Sequence, residues 1–336
     1  MTLKKFLIIA VSLMLTMLSA CGGNTVTYNP EKPYWLDESE FGSAVVDKTE
    51  TCTYNLSFEP TEEKYSNKSV KFNLTEGSFS TTVEKAVYND TPCYSYTTTC
   101  TVTGEYVVTE GEVKSGTFTD VTTSTTYFLW KQGFQFLYSE QNAQSTLPVN
   151  ATGVKDKNGN TFITIAYKTT ITYGEKDAVA TFNILSDKEK TASYFSLKDG
   201  AQTTYKKYKK TNYVDSNMLY FVPRTFNFAE GLTYTFSSID VLNSTKHSMK
   251  LSVSTEKASE TISLEDSGLK ISGAPATENL TIYNLVVGIN ETYSGASVNC
   301  QYAEKTDTWH HVMYKMKTSL PYSMGYLVYT LTEFDN

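Results

Sequence analysis

The feature that most constrains the fold is the alternation of polar and apolar side chains along many short stretches of the chain. From Tyr94 to Thr109, residues that suit a buried face alternate with threonines. A period of two residues is that of a β-strand with one face turned to the core. The same texture recurs in four other places: Val70, Phe72 and Leu74; Phe162-Ile163-Thr164-Ile165; Leu280, Ile282 and Asn284; and Tyr326, Val328 and Thr330.

Turn signals divide these stretches. Asn158-Gly159 is typical of a tight hairpin, and glycines follow Glu110, Asp199 and Glu230. Strands joined by short turns, without long helical patterns between them, indicate antiparallel pairing. We therefore predict a mainly β fold, a large curved antiparallel sheet resembling a half-barrel with one or two short helices. The alternative is two packed β subdomains.

One short helix is predicted near the middle of the chain. Asp215, Ser216 or Asn217 can cap a helix whose apolar face carries three residues: Leu219, Val222 and Phe226.

The N-terminal residues have the pattern of a cleaved secretion signal. Lys4 and Lys5 precede an apolar run from Phe6 to Leu18. That run of about thirteen residues is shorter than the roughly twenty that a transmembrane helix needs. Leu18-Ser19-Ala20-Cys21, followed by Gly22 and Gly23, resembles the lipobox of bacterial lipoproteins.

The lipobox resemblance implies cleavage before Cys21 and a lipid on its thiol, which anchors the chain to the outer surface of a membrane. Two acyl chains give a stable anchor where one gives only marginal binding. The expected organisation is a signal peptide at 1–20, the lipidated cysteine and a tether at 21–48, and one extended β domain at 49–336. The length of that β domain also allows it to consist of two similar halves.

Charge argues against nucleic acid as a partner. The chain carries a formal net charge of −7, and Arg224 is its only arginine. Nucleic-acid affinity depends largely on lysines and arginines that neutralise phosphates.

Four cysteines remain after the lipobox: Cys52, Cys93, Cys100 and Cys300. They allow three pairings, among which the sequence does not choose. The odd spacing of Cys93 and Cys100 would point them to opposite faces of a strand, which disfavours a bond between those two. The sequence is compatible both with buried free thiols and with one structural disulfide.

Two segments, residues 126–141 and 213–231, resemble the half-barrel lipoproteins and lipoprotein carriers of the LolA and LolB type. The first reads T-Y-F-L-W-K-Q-G-F-Q-F-L-Y-S-E-Q and the second Y-V-D-S-N-M-L-Y-F-V-P-R-T-F-N-F-A-E-G. The resemblance implies a strongly bent antiparallel sheet around short helices, with a lipid in the concavity of some members.

Catalytic and metal-binding patterns are weak. Ser254 and Lys257 have the spacing of an acylating pair, but that pair needs a helix and the segment alternates like a strand. The adjacent His310 and His311 would point to opposite faces of a strand. We predict no metal and no cofactor. A wall-polymer hydrolase using carboxylates such as Asp37, Glu38 and Glu40 is a lesser hypothesis.

Two sets of residues are candidates for binding. Aromatic side chains can line a concavity for an apolar ligand or pack as ordinary core, and the candidates are Trp130, Phe134, Phe136, Phe221 and Phe228. Clustered lysines can contact an anionic polymer or lipid headgroups, or simply keep a strand end solvated, and these are Lys206, Lys207, Lys209 and Lys210.

The leading functional hypothesis is a non-enzymatic, membrane-anchored module that binds a hydrophobic ligand or an envelope component. The alternative is a structural or interaction protein of the cell envelope. Expected partners are membrane lipid through Cys21 and a lipid, envelope polymer or envelope protein.

Overall fold

The structure, a computed structural model, describes fourteen stretches of the chain. They are residues 25–27, 49–61, 70–108, 114–129, 134–148, 162–208, 213–225, 233–242, 245–263, 267–272, 279–290, 297–304, 311–320 and 324–335. Several predictions lie outside the described residues: the leader and Cys21, the acidic group at 37–40, the Asn158-Gly159 turn, Trp130, Phe228, Lys209 and Lys210.

Sixteen strands of the described residues form one sheet. The first eight are β1 (Thr25–Thr27), β2 (Glu50–Pro60), β3 (Val70–Tyr88), β4 (Thr91–Val108), β5 (Lys114–Leu129), β6 (Gln135–Pro148), β7 (Phe162–Tyr173) and β8 (Asp177–Ser186). The others are β9 (Ala201–Lys206), β10 (Thr233–Asp240), β11 (Thr245–Ser263), β12 (Lys270–Ile271), β13 (Asn279–Asn290), β14 (Ser297–Ala303), β15 (Met313–Ser319) and β16 (Gly325–Asp335).

The strand order confirms the predicted mainly β, antiparallel architecture. From one edge to the other it runs β1-β10-β11-β13-β14-β15-β16-β2-β3-β4-β5-β6-β7-β8-β9. Among the described strands, only β1 on β10 and β12 on β16 pair in parallel. β2 therefore joins the C-terminal strand β16 to the run β3 to β9, so the described strands form one sheet and not two.

Alternation assigns the two faces of the sheet, as β4 illustrates. Its even-numbered residues Tyr96, Cys100, Val102 and Tyr106 are buried in the main core, whereas the threonines between them are partly exposed. We call the core side the inner face and the opposite side the outer face. The predicted period of two is confirmed in this strand, whose inner face is mostly apolar and whose outer face is mostly polar.

The sheet bends around residues 213–225, which we call the inner segment. This segment contains two 3-10 turns, Ser216–Met218 and Val222–Thr225. Val214 N donates to Ser237 O on β10 at 2.9 Å, while Phe221 packs on Tyr96 of β4 with ring centroids 5.0 Å apart. β10 and β4 are far apart in the strand order, so the sheet must curve for both to reach one segment.

Helical structure differs in place from the prediction. Asp215 does act as a cap, since its side chain accepts from Asn217 N, but it begins a 3-10 turn rather than an α-helix. The α-helix of the described residues, α1 (Lys188–Phe195), lies elsewhere and was not predicted. It packs on β7 and β8, where Tyr194 and Phe195 close a second, smaller core with Tyr167 and Phe182. No helix among the described residues is long and apolar enough to cross a membrane.

Candidate functional site

A buried carboxylate fixes the start of the inner segment to the sheet. Asp215 Oδ1 accepts hydrogen bonds from Asn217 N at 2.8 Å, Ser139 Oγ at 3.2 Å and Thr126 Oγ1 at 3.4 Å. Its Oδ2 accepts from the Tyr173 hydroxyl. Burial raises the pKa of Asp215, against the opposing effect of these hydrogen bonds. Strands β5, β6 and β7 thus hold one end of the inner segment through polar contacts.

A buried ion pair fixes the other end. Arg224 Nη2 donates to Glu50 Oε2 at 2.9 Å, and Nη1 donates to Oε1. Both side chains are almost fully buried. The guanidinium carbon also lies 5.2 Å from the centre of the Phe221 ring, and the Arg224 carbonyl accepts from His311 Nδ1 at 3.2 Å. Because a carbonyl only accepts, this contact places a proton on Nδ1 of His311.

A small cavity lies beside the ion pair, lined by Cys52, Tyr54, Thr81, Tyr96, Tyr220, Phe221, Arg224 and Met313. Its volume of about 10 Å³ suits one water molecule and excludes an acyl chain or a sugar. Burial raises the pKa of Cys52 to about 12, so its thiol stays protonated at neutral pH and is a poor nucleophile.

The other thiols have similar surroundings. The sequence left buried free thiols and one disulfide as alternatives, and the structure has free thiols. The four cysteines, all buried, are Cys52, Cys93, Cys100 and Cys300. Burial raises the pKa of Cys100 to about 12 as well. No group of three or more His, Cys, Asp or Glu side chains that could hold a metal ion occurs within the described ranges.

Three of the predicted aromatic residues come together. Phe134 stacks on Phe136 at 6.0 Å and meets Phe221 edge-on at 5.8 Å between ring centroids. Phe136 and Phe221 are buried in the main core, and Phe134 is partly buried against it. Their rings contact one another and the walls of the sheet, so in this part of the inner face the chain itself occupies the space that an apolar ligand would take.

The two described lysines of the predicted basic cluster are exposed. Lys206 ends β9 and Lys207 follows it with a positive φ of 57°, and Lys207 N donates to Asp177 Oδ1 at 3.2 Å. Tyr205 and Tyr208 on either side are buried in the main core. The described half of the cluster is thus two solvated cations on an edge strand.

The outer face carries rows of hydroxyl side chains that run across the strands. In one row six of the eight directly paired positions are threonines, and its members are Thr51, Thr82, Thr97, Thr125, Glu140, Thr170, Thr181 and Gln202. Thr97 and Thr125 lie 3.2 Å apart through their Oγ1 atoms. Strand spacing makes the repeat of such a row about 4.8 Å.

A group of three tyrosines, the tyrosine patch, interrupts this polar face. Tyr88 stacks on Tyr127 with centroids 5.2 Å apart and on Tyr138 at 5.3 Å, the latter rings only 13° from parallel. All three are partly exposed. Cys93 and Ser95 lie between them on β4 and are only 7 % and 4 % exposed, although both are on the outer face. Their burial indicates that the rings lie over the strand.

One carboxylate beside the tyrosine patch, that of Glu140, has a counter-ion. The Tyr138 hydroxyl donates to Glu140 Oε2 at 2.9 Å, and Lys168 Nζ pairs with the same oxygen at 2.8 Å. Partial burial opposes ionisation of Glu140, but the contacts from Lys168 and Tyr138 outweigh it and lower its pKa. The patch therefore offers aromatic surface and hydrogen-bonding groups, and the exposed Glu84 in the same cross-strand row, next to Ser95, adds a negative charge.

Sequence reasoning did not find the tyrosine patch. Tyr127 and Tyr138 lie in the same aromatic-rich stretch of the sequence as Phe128, Phe134 and Phe136. An irregularity between the Tyr127–Tyr138 and Phe128–Phe136 pairs puts the phenylalanines on the inner face and the tyrosines on the outer face. The signal in the sequence was the odd position of Tyr127 in β5, where the even positions face the core.

Comparison with known proteins gives no identity. No protein-family model, no curated protein and no solved structure matches this chain.

Proposed function

We propose that this chain is a lipid-anchored extracytoplasmic protein that binds a component of the cell envelope without catalysing a reaction. The anchor is the lipid on Cys21. Support for it is the Lys4-Lys5 charge, the short apolar run and the Leu18-Ser19-Ala20-Cys21 sequence. The binding surface in this proposal is the outer face of the sheet.

The choice of the outer face as the binding surface depends on one observation. The middle of the inner face is filled by the inner segment, which is tied down at Asp215 and at Arg224. The cavity next to it has room for about one water molecule. The outer face instead presents continuous rows of partly exposed hydroxyls and the tyrosine patch. Ligand sites combine apolar surface with a few placed polar groups, and of the surfaces described the outer face offers both.

The anchor is tested by fractionating cells that express the wild type or Cys21→Ser. We expect the wild type in the membrane fraction, released only by detergent, and a change in mass that equals the lipid. Cys21→Ser should lose that lipid. A wild-type chain without lipid on Cys21 would contradict the anchor.

The binding face is tested by co-sedimentation of the full-length, detergent-purified protein with isolated, lipid-extracted cell envelopes. Thr97→Lys/Thr125→Lys adds two long cations to the middle of the outer face and leaves the core untouched. Ser193→Lys, on the exposed side of α1, is the matched control. We expect the double variant to lose binding and the control to keep it. Equal binding by all three would exclude the outer face.

A further inference from the structure

The tyrosine patch has the composition of a recognition site for sugar rings. The face of a pyranose ring exposes C–H groups and its rim carries hydroxyls. A tyrosine offers an apolar ring that a C–H face can cover and a hydroxyl that can pair with the rim. Tyr88, Tyr127 and Tyr138 form a cluster of three such rings, all partly exposed and within 6.4 Å of one another by centroid.

Hydrogen-bonding groups surround the patch at the places where a sugar rim would lie. Thr125 precedes Tyr127 on the same face of β5, Glu140 follows Tyr138 on β6, and Thr172 is paired with Tyr138 from β7. The threonine-rich row next to the rings, which passes through Thr125, crosses the strands at a repeat of about 4.8 Å, a length comparable with one sugar unit. A polymer could therefore extend from the patch along the outer face.

Charge and size argue against other occupants. Lys168, the described lysine on the outer face next to the patch, is paired with Glu140 at 2.8 Å and is therefore not free for a phosphate or a lipid headgroup. Its apolar area is three partly exposed rings, with the exposed Val87 next to them in sequence, which is small for the buried centre of a stable protein interface. The aromatic rings and neighbouring hydroxyls suit a hydroxyl-rich ligand, and the exposed Glu84 carboxylate on the same face disfavours an anionic one.

We propose that the tyrosine patch binds a neutral polysaccharide, with pyranose rings stacked on Tyr88, Tyr127 and Tyr138. This inference rests on the proposed function and names the class of envelope component that the outer face recognises.

The test is electrophoresis of the full-length protein in detergent through native gels that contain one of three neutral polysaccharides: hydroxyethyl cellulose, galactomannan or dextran. We expect at least one to retard the wild type. Tyr88→Ala/Tyr127→Ala should weaken that retardation on the order of tenfold in apparent affinity, because two stacking surfaces are lost. Tyr127→Phe keeps the ring and should keep most of the binding. Ser193→Ala is the control on the other side of the sheet.

Three results would overturn the inference: no retardation by any of the three polysaccharides, equal retardation of the wild type and the double alanine variant, or retardation only in gels that contain the anionic polymer alginate. Circular dichroism and urea unfolding of each variant separate lost binding from lost folding, and the single variant Tyr127→Ala, which should also weaken the retardation, serves if the double variant is unfolded. If the wild type co-sediments with envelopes but no neutral polysaccharide retards it, only this inference fails. If it does not co-sediment at all, the proposed function fails.

Discussion

Arg224 and Glu50 form a buried ion pair with two hydrogen bonds, although 174 positions separate them in the sequence. Arg224 is the only arginine of the chain, and Glu50 opens β2. The pair ties the end of the inner segment to the strand that joins the two halves of the sheet. The position of the inner segment, and with it the filled inner face, depends on this contact.

Removing one partner of the pair should be strongly destabilising. Arg224→Met leaves the Glu50 carboxylate buried without its counter-ion, which should lower the free energy of unfolding by about 3–5 kcal/mol. Replacing both partners, as in Glu50→Leu/Arg224→Met, should restore much of the loss because no buried charge remains. Urea unfolding of the three proteins measures this, and a loss below about 1 kcal/mol in Arg224→Met would contradict a structural role for the pair.

Asp215 should show the same dependence on its partners. Asp215→Ala leaves Tyr173, Ser139, Thr126 and the Asn217 amide without their common acceptor, and each buried unpaired group costs about 1–3 kcal/mol. Asp215→Asn keeps one carbonyl oxygen and should lose clearly less stability. The comparison is made by urea unfolding at constant pH, and equal losses in the two variants would show that the hydrogen bonds are not what holds the segment.

A second carboxyl predicts how stability depends on pH. Asp120 lies on the inner face of β5, where its carboxylate accepts from Thr146 N at 2.7 Å and from Ser145 Oγ at 3.0 Å. Burial raises its pKa from 3.8 to about 7 despite these bonds. Between these values the folded state binds more protons than the unfolded state, so stability falls as the pH rises.

The size of that fall is on the order of 4 kcal/mol between about pH 4 and pH 7. Asp120→Asn has no such titration, so the free energy of unfolding of the wild type should fall relative to this variant across that range and run parallel to it above pH 7. The measurement is urea unfolding of both proteins from pH 4 to pH 8. Parallel profiles throughout, or a relative gain by the wild type, would contradict the assignment.

The four thiols should be inert in the folded protein. They are buried and unpaired by disulfides, and burial holds their pKa values above the ordinary value. Iodoacetamide at pH 8 should leave them unmodified in the native state and label all four in denaturant, as read by mass spectrometry. Rapid labelling of any one in the native protein, or a disulfide between two of them, would show that the thiols are arranged differently.

The sequence predicted local structure well where a short-range pattern decides it. Alternation along β4 assigns its buried and exposed residues, and the Asp215 side chain does cap a helical turn. Helix α1 was missed because its length of eight residues gives little periodicity and its cap, Asp187, has a left-handed conformation. The helical periodicity in this stretch is limited to Tyr194 and Phe195, which lie three and four positions after Thr191.

Local sequence patterns do not predict which distant strands come into contact. Nothing near Glu50 or Arg224 in the sequence indicates that they meet, since strand order decides it. Phe136 and Tyr138 are two positions apart and would share a face in a regular strand. The irregular pairing of β6 with β5 separates them, so the tyrosine patch becomes visible only with the register known.

The most direct test of the account is hydroxyl-radical footprinting of the full-length protein with and without isolated cell envelopes. Mass spectrometry reports which side chains lose reactivity on binding. We predict protection of the partly exposed outer-face tyrosines Tyr88, Tyr127 and Tyr138, with no change at Phe134 or Tyr220 on the inner side. Protection of Phe134 and Tyr220 with no change at the three tyrosines would contradict binding through the outer face. It would indicate that the ligand binds on the inner face.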